Sequence, residues 1–264
     1  MLVDKTVLIT GASSGIGQAC ARAFAAAGSR LVLAARRRDR LDALASELDT
    51  EVLPLALDVR DRAAVEAAVE GLPEEWAAID VLVNNAGLAA GWGPVVENDP
   101  SDWDRMIDTN VRGLFDVTRV VARGMVARGS GHVINVGSIA GLMPYANGAV
   151  YCATKAAVDA FTKALRMDLL GTGVRVSSID PGLVETEFSI VRFGGDRDRA
   201  AQVYRGLEPL TADDVAEAVV WMADRPKHVT AAQLVLLSSD QASATMVSRR
   251  EGGPPAGGLT GATA

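Results

Sequence analysis

The sequence predicts a single α/β domain of the Rossmann type, in which a doubly wound parallel sheet of about seven strands carries helices on both faces. Short runs rich in Val, Ile and Leu recur along the chain, and they are continuous rather than alternating, as expected for strands covered on both faces. Helix-like segments separate these runs, and a glycine-rich turn follows the first one. Ligands of such sheets bind at the carboxyl ends of the strands, so we expect functional residues just after the strands.

The elements alternate regularly along the chain. The predicted strands are 6–10, 30–35, 51–59, 81–86, 132–138, 174–180 and 233–238. The predicted helices are 15–28, 38–48, 61–71, 102–128, 151–170 and 211–224, and the last opens with a Thr-x-x-Asp capping pattern. Residues 183–206 break this rhythm with aromatics, arginines and a Gly-Gly pair, and we expect them to form a lid over the substrate.

The composition of the chain indicates the extent of the domain and the classes of partner that it can bind. The domain is expected to span 1–248, whereas the Gly/Pro/Ala-rich segment 249–264 is expected to be a disordered tail. The chain has 33 acidic against 26 basic residues, which disfavours a nucleic-acid or membrane-surface role. The N-terminus has neither a signal-peptide pattern nor a membrane span, and the two cysteines, Cys20 and Cys152, suit neither a disulfide framework nor a metal site. We therefore expect a cytoplasmic protein with small-molecule partners and no metal.

The turn after the first strand, "TGASSGIG" at 10–17, is typical of a phosphate cradle. Gly11 permits the tight turn, Gly15 permits close approach of a pyrophosphate, and Gly17 permits close packing of helix on sheet. The spacing is G-x-x-x-G-x-G. The alternative is a glycine turn with a purely steric purpose.

The end of the second strand predicts the choice of dinucleotide. Arg36 and Arg37 stand about 20 residues beyond the glycines, where an acidic residue would bind a ribose 2′-hydroxyl and an arginine would bind a 2′-phosphate. We therefore expect NADP(H) rather than NAD, the alternative being a solvated basic helix start. Asp58 and Val59, which end the third strand, are candidates for the adenine contact, although an Asp can also simply terminate a strand.

The stretch "VYCATKAA" at 150–157 contains a candidate acid/base pair. Tyr151 and Lys155 lie four residues apart on one predicted helix, and a neighbouring cation would stabilise the phenolate and lower the tyrosine pKa. Ser138, at the end of the fifth strand, is placed to hold a substrate oxygen beside the tyrosine. Taken singly, each residue also has a structural explanation: a core aromatic, a solvated lysine and a turn serine.

These motifs, together with "NNAG" at 84–87, Asn110 and "PG" at 181–182, fall in the order and spacing of the short-chain dehydrogenase/reductase family, which residues 1 to about 248 resemble. The resemblance implies that Tyr151 is the proton donor/acceptor and that Ser138 positions the substrate oxygen. It implies that Lys155 binds the nicotinamide ribose and tunes Tyr151, and that Asn110 completes a proton relay through water. The cofactor contacts it implies are Gly11, Ser13, Ser14, Gly15, Ile16, Gly17, Arg36, Arg37, Asp58, Val59, Asn85, Ala86, Gly87, Tyr151, Lys155, Pro181, Gly182, Val184 and Thr186.

Further stretches, such as "DWDRMIDTN" at 102–110 and "EFSIVRFGGD" at 187–196, resemble the NADP-dependent branch that oxidises small 3-hydroxy acids, L-allo-threonine and serine. The resemblance implies a homotetramer or homodimer. The residues expected near the substrate are Ser138, Trp92, Tyr145, Glu185 and Arg192.

Arg192 is the candidate for binding a substrate carboxylate, because a guanidinium can hold a carboxylate with two hydrogen bonds. The alternatives for Arg192 are a subunit contact or an ion pair with Glu185, Glu187 or Asp196. Glu185 and Trp92 depart from the pattern of the branch, and they favour a second candidate activity, the reduction of neutral ketones or aldehydes. A dinucleotide-binding protein without turnover is a third.

Overall fold

The computed structural model describes residues 2–250. Its strands are β1 (Thr6–Thr10), β2 (Arg30–Ala35), β3 (Val52–Ala56), β4 (Val81–Asn84), β5 (Gly131–Val136), β6 (Val174–Pro181) and β7 (Gln233–Leu236). All six neighbouring pairs are parallel, and they form one sheet in the order β3-β2-β1-β4-β5-β6-β7. The predicted seven-stranded parallel sheet is confirmed.

The helices lie between the strands as predicted. They are α1 (Gly15–Ala26), α2 (Arg38–Glu47), α3 (Arg62–Glu70), α4 (Pro100–Ile107), α5 (Leu114–Arg128), α6 (Ala149–Asp168), α7 (Glu187–Arg192), α8 (Arg197–Tyr204) and α9 (Ala212–Ala223). The capping box of α9 is present, with reciprocal hydrogen bonds between Thr211 and Asp214. The predicted single helix 102–128 is wrong in one respect, because the π-helical turn Asp108–Gly113 separates α4 from α5.

Both faces of the sheet are buried, which explains why its strands are apolar throughout. Val7 and Ile9 of β1 pack into a cluster with Phe24 of α1, whereas Leu8 packs on the opposite face with Val117 of α5. Burying an aliphatic or aromatic side chain of this size contributes about 1.5–3 kcal/mol. Alternate residues of one strand therefore hold helices on opposite faces of the sheet.

The strand order reverses at β1. The chain passes from β1 to β2 and β3 on one side, and β4 then pairs with the other side of β1. In doubly wound sheets this reversal opens a crevice at the carboxyl ends of the strands. The predicted site motifs follow β1, β2, β4, β5 and β6, and this crevice therefore brings them together.

Residues 183–206 form the two short helices α7 and α8, which are joined by a turn at Gly194 and Gly195 with positive φ angles of 63° and 100°. The Tyr204 hydroxyl donates to the Val184 carbonyl at 2.9 Å and ties the end of this segment to its beginning. The first two residues of the predicted tail are also attached here, since Arg249 donates to the Val203 carbonyl and Arg250 N–H donates to the Gly206 carbonyl. The rest of that tail, 251–264, lies outside the described residues.

Among residues 2–250, no helix has both the length and the apolar character needed to cross a membrane.

Candidate active site

The carboxyl ends of the strands open into one cleft of about 310 Å³. Of the nineteen predicted cofactor residues, all but Gly17 line it, and so does Ser138. Gly17 lies behind the glycine-rich turn, where a Cβ atom would come within 2.5 Å of the Gly11 carbonyl oxygen. Gly17 therefore permits close packing of α1 on the sheet, as predicted, and its contact with the cofactor stays a prediction.

The glycine-rich turn keeps its backbone accessible at the start of α1. Gly11 and Gly15 adopt positive φ angles of 67° and 54°, which residues other than glycine rarely adopt. The Asn85 amide donates to the carbonyls of Thr10 and Gly11 at 2.9 and 3.3 Å, and so fastens the turn to the end of β4. The backbone N–H of Asn85 also donates to the Thr10 hydroxyl, at 3.0 Å, and strengthens the same link.

The two arginines after β2 have different surroundings. Arg37 donates to the Ser13 and Ser14 hydroxyls at 3.0 and 2.9 Å and forms an ion pair with Glu187 at 3.4 Å. Arg36 lines the cleft and forms no hydrogen bond or ion pair with another residue in the described part of the chain. Its donors are therefore free for an anionic group. Asp58, just after the neighbouring strand β3, is held by Arg60 at 2.6 Å, and that hydrogen bond lowers the pKa of its carboxyl.

Tyr151 and Lys155 are both buried on α6, as the spacing predicts for two residues on one helix. The Lys155 ammonium donates to the Val136 carbonyl at 2.8 Å, and burial lowers its pKa to about 8 against the opposing charge of Asp180. Burial raises the pKa of Tyr151 well above its usual value. The cation that opposes this increase is Arg192, aided by a hydrogen bond from the Ser138 side chain. The ammonium points toward β5, and the effect of Lys155 on the tyrosine pKa stays a prediction.

Ser138 begins a short 3-10 turn (Ile139–Gly141) directly after β5. Its hydroxyl oxygen accepts from the Ala140 N–H at 3.1 Å, and its own N–H donates to the Asp180 carboxylate at 3.2 Å. The serine is therefore held by the backbone on one side and by a buried carboxylate on the other. It keeps its hydroxyl group on the cleft.

Asn110 lies in the π-helical turn and does not line the cleft. Its amide oxygen accepts from the Leu88 N–H and its amide nitrogen donates to the Leu88 carbonyl, both at 2.8 Å. The same nitrogen donates to Thr154, whose hydroxyl donates to the Tyr151 carbonyl. Asn110 thus connects the segment after β4 to the helix that carries Tyr151 and Lys155.

Arg192 is enclosed by aromatic rings. Its guanidinium carbon lies 4.9 Å from the ring centre of Tyr151, 5.2 Å from that of Phe188 and 5.5 Å from that of Trp92. One nitrogen donates to the Tyr145 hydroxyl at 2.8 Å, and Trp92 stacks on Tyr145. Trp92, Tyr145 and Arg192 form a wall next to Tyr151, just beyond the residues that line the cleft itself.

The carboxylates expected near this wall lie elsewhere. Within residues 2–250, Arg192 forms no ion pair with Glu185, Glu187 or Asp196: Glu187 pairs with Arg37 and Arg40, and Asp196 caps α8. Glu185 is exposed and faces a second concavity on the side of α1 and α2. The turn after β6 directs the Glu185 side chain away from the residues that line the cleft, and its effect on the substrate stays a prediction.

Several residues of the site were not predicted from the sequence. Asp180 contacts Ser138 from behind, and Leu88, Arg105, Thr109, Phe188 and Val191 line the cleft. A carboxylate at the end of the strand segment "VRVSSID" was the available signal for Asp180, since buried charges are rare unless they are paired. The other residues come from helices whose approach to the cleft depends on tertiary packing.

A Rossmann-type sheet with a glycine-rich turn, an unpaired arginine and a buried Tyr/Lys/Ser group at its reversal point defines a dinucleotide-binding oxidoreductase. A family model described as "short chain dehydrogenase" matches residues 5–193. The chain belongs to this family, and the predicted resemblance is confirmed.

The similar proteins agree with one another. The chain is 52% identical over 224 residues to the NADP-dependent 3-hydroxy acid dehydrogenase YdfG of Salmonella typhimurium, covering 84% of this chain and 90% of that protein. It is 48% identical over 246 residues to the protein of the same name from Escherichia coli K12, covering 93% and 99%. A Schizosaccharomyces pombe NADP-dependent 3-hydroxy acid dehydrogenase is 46% identical over 255 residues, covering 95% and 98%.

Solved structures of other dehydrogenases and reductases have a similar fold. The closed form of a serine dehydrogenase complexed with NADP+ superposes with a TM-score of 0.89 at 47% identity, covering 93% of this chain and all of that one. A levodione reductase superposes with a TM-score of 0.82 at 29% identity, covering 89% and 96%.

Proposed function

We propose that this protein is an NADP-dependent oxidoreductase that interconverts the 3-hydroxyl group of a small hydroxy acid and the corresponding carbonyl. The observation that carries the proposal is the position of Arg192. Its guanidinium carbon lies 4.9 Å from the Tyr151 ring, on the wall next to the Ser138 and Tyr151 hydroxyls. A carboxylate held there lies a few bonds from a hydroxyl at Tyr151, which is the spacing of a 3-hydroxy acid or a semialdehyde.

The cleft fits a phosphate-bearing dinucleotide. Arg36 supplies free donors at the end of β2 for a 2′-phosphate, and the turn that begins at Gly11 offers backbone N–H groups at the start of α1. NADP(H), when bound, supplies the hydride chemistry. The names of the similar dehydrogenases support the same cofactor.

The chain's own residues provide the proton chemistry. Tyr151 gives or takes the proton at its phenol oxygen, and Ser138 holds the substrate oxygen beside it. Burial keeps the phenol protonated, because it raises the pKa of Tyr151. That is the form that donates a proton to a carbonyl, and it suits the reduction of a semialdehyde. Lys155 and Asn110 hold this arrangement through Val136 and Leu88, respectively.

Substitution of Arg192 tests the substrate assignment. Arg192→Gln is expected to raise the KM for malonic semialdehyde about 10- to 100-fold, because a hydrogen-bonded charge contributes about 1.5–3 kcal/mol. The KM for a neutral aldehyde such as propanal should stay within about threefold, since no carboxylate is lost. Both are measured by NADPH consumption, and Tyr151→Phe serves as the control that removes the proton donor.

Arg199→Gln is the matched control for Arg192. Arg199 stacks on Phe193 in the same segment at 4.5 Å and lies outside the cleft, so its substitution should leave both KM values unchanged. An Arg192→Gln enzyme with an unchanged KM for the acid would contradict the substrate proposal and leave the oxidoreductase class intact.

A second candidate is the reduction of neutral ketones or aldehydes. It is favoured by the aromatic wall of Trp92, Tyr145 and Phe188, and by the donation from Arg192 to the Tyr145 hydroxyl, which occupies one of the guanidinium donors. Turnover of neutral ketones without turnover of the acids would favour this second candidate.

We also propose that the protein acts in the cytoplasm as a homodimer or homotetramer, with 183–206 as a lid on a domain spanning 1–248. The exposed small face of α6 (Ala153, Ala156, Ala160 and Ala164) supports self-association, as do Met167 and Leu170, which are 75% and 85% exposed. Light scattering after size-exclusion chromatography measures the assembly directly.

A further inference from the structure

Asp180 is an ionisable side chain closed off from water behind the candidate catalytic residues. It lies near the end of β6 and is 1% exposed. One carboxylate oxygen accepts from the Ser138 N–H at 3.2 Å, and the other accepts from Gln233 at 2.8 Å and from Ser178 at 3.4 Å. A buried carboxylate costs several kcal/mol unless it is well partnered, so its position calls for a functional explanation.

The carboxylate also shapes the exit of β5. A Cβ atom on Gly137 would lie 1.9 Å from an Asp180 carboxylate oxygen, and the Gly137 N–H donates to the neighbouring Ile179 carbonyl at 2.7 Å. Only glycine fits here, because the chain between Val136 and Ser138 passes directly against the carboxylate. Asp180 therefore fixes the path that delivers the Ser138 hydroxyl to the cleft.

Lys155 approaches the same segment from the other side. Its ammonium donates to the Val136 carbonyl at 2.8 Å. Burial raises the pKa of Asp180 and lowers that of Lys155, and the charge of each residue opposes the shift of the other. The remaining charged group that acts on Asp180 within residues 2–250 is Asp159 of α6, and it disfavours the carboxylate. Gln233 of β7 donates to both Asp159 and Asp180 and so separates these two like charges.

We propose that Asp180 is a positioning residue that holds the Ser138 backbone and supplies the negative charge that keeps the buried Lys155 protonated. It acts through these two residues and does not line the cleft. The inference rests on the proposed function in so far as Ser138 and Lys155 serve the reaction.

Asp180→Asn tests the charge without changing the shape of the side chain. The chain has four lysines, Lys5, Lys155, Lys163 and Lys227, so carbon-13 labelling of the lysine side chains gives few signals, and Lys155→Met identifies the one of interest. In the wild-type protein we expect Lys155 to titrate near its lowered pKa of about 8. In Asp180→Asn the midpoint should fall by about one pH unit, since the favourable charge is gone.

Two further variants separate charge from position. Asp180→Glu restores the charge and should return the Lys155 midpoint toward the wild-type value. Asp159→Asn removes the other carboxylate that binds Gln233, and it should leave the Lys155 midpoint unchanged. An unchanged midpoint in Asp180→Asn, or an equal decrease in Asp159→Asn, would overturn the proposal.

The pH profile of turnover gives the second readout. Lowering the Lys155 midpoint by about one unit moves the alkaline limb of kcat, so Asp180→Asn should lose roughly fivefold at pH 8 and almost nothing at pH 6. Its melting temperature should fall, because the variant leaves the buried Lys155 ammonium without its counter-charge. Equal losses of activity at all pH values, with an unchanged Lys155 midpoint, would show a merely structural role. If the wild-type protein turns over none of the test substrates, the proposed function fails, and the lysine titration still decides the role of Asp180.

Discussion

A ribose 2′-phosphate is expected at the end of β2, where two arginines follow each other. Arg37 is occupied by Ser13, Ser14 and Glu187. Arg36 is therefore the arginine whose donors are free for the phosphate. Arg36→Ala is expected to raise the KM for NADPH about 10- to 100-fold, the range for loss of a charge-assisted hydrogen bond. The KM for NADH should change by less than about threefold, since NADH has no 2′-phosphate. Initial rates with both cofactors at a fixed semialdehyde concentration measure the two values.

Arg38→Ala is the matched control for Arg36. Arg38 begins α2 in the same basic run, but it is paired with Asp42 at 2.8 Å and does not line the cleft. An equal loss with NADPH and NADH in Arg36→Ala, or a loss with NADPH in Arg38→Ala, would contradict the assignment of Arg36.

Sequence spacing located the reactive side chains but could not give their partners. A separation of four residues predicts that Tyr151 and Lys155 share a helix face, and both are indeed buried on α6. Their pKa values depend on burial and on the charges of Asp180 and Arg192, which come from other elements. Local sequence contains no information about these long-range contacts.

At the scale of elements, the sequence predicted the strands and most helices but not the break in 102–128. The apolar pattern continues across this stretch, so periodicity alone indicates one helix. The π-helical turn Asp108–Gly113 interrupts it, and Val59 crowds the turn so closely that a Cβ atom on Gly113 would lie 2.8 Å from a Val59 side-chain carbon. This turn carries Asn110, consistent with the frequent occurrence of π-bulges at functional sites.

The proposed lid is attached to the phosphate-binding side of the cleft through one carboxylate. Glu187, the first residue of α7, accepts from Arg40 at 3.0 Å and from Arg37 at 3.4 Å. Arg37 in turn holds the glycine-rich turn through Ser13 and Ser14. The proposed lid, the start of α2 and the glycine-rich turn are therefore joined in one network of hydrogen bonds and ion pairs.

Glu187→Gln is expected to loosen this attachment. Exposed ion pairs contribute about 0.2–1 kcal/mol, so amide hydrogen exchange across 187–206 should accelerate roughly two- to fivefold at low salt. The acceleration should disappear in concentrated salt, which screens the wild-type ion pairs as well.

Glu47→Gln is the matched control for Glu187. Glu47 forms a similarly exposed pair with Arg22 at 2.8 Å between α1 and α2, away from the lid. Its loss should leave exchange across 187–206 unchanged. Equal exchange in Glu187→Gln and the wild-type protein would show that the carboxylate does not hold the lid.

At the scale of the whole molecule, the architecture was predictable because the rules behind it are general. Continuous apolar runs that alternate with helices favour a parallel sheet. Right-handed crossovers, with a reversal of direction after β3, place the first strand inside the sheet, third in the strand order. The position of the cleft follows from this order, whereas its walls depend on the segment 183–206, whose packing no periodic pattern encodes.

The same burial that builds the sheet makes its stability dependent on pH through His132 of β5. This side chain is 1% exposed and shares a hydrogen bond with the Ser177 hydroxyl at 2.8 Å. Burial, aided by the charge of Arg175, lowers the pKa of His132 from 6.5 to about 3. Between these two pH values the unfolded chain binds a proton that the folded chain excludes, so the free energy of unfolding falls as the pH falls from about 6.5 toward 3.

The expected loss from His132 is about 2 kcal/mol between pH 7 and pH 5, or roughly 4–8 °C in melting temperature for a domain of this size. Because carboxylates also titrate in this range, the measurement is the difference in pH slope between the wild-type protein and His132→Asn, with the slope smaller in the variant. His228 is the other histidine of the chain and is exposed, so His228→Gln should keep the wild-type slope. Equal pH slopes of stability for the wild-type protein and His132→Asn would mean that the folded sheet tolerates a protonated imidazole at His132. Burial between β5 and β6 would then not exclude the proton.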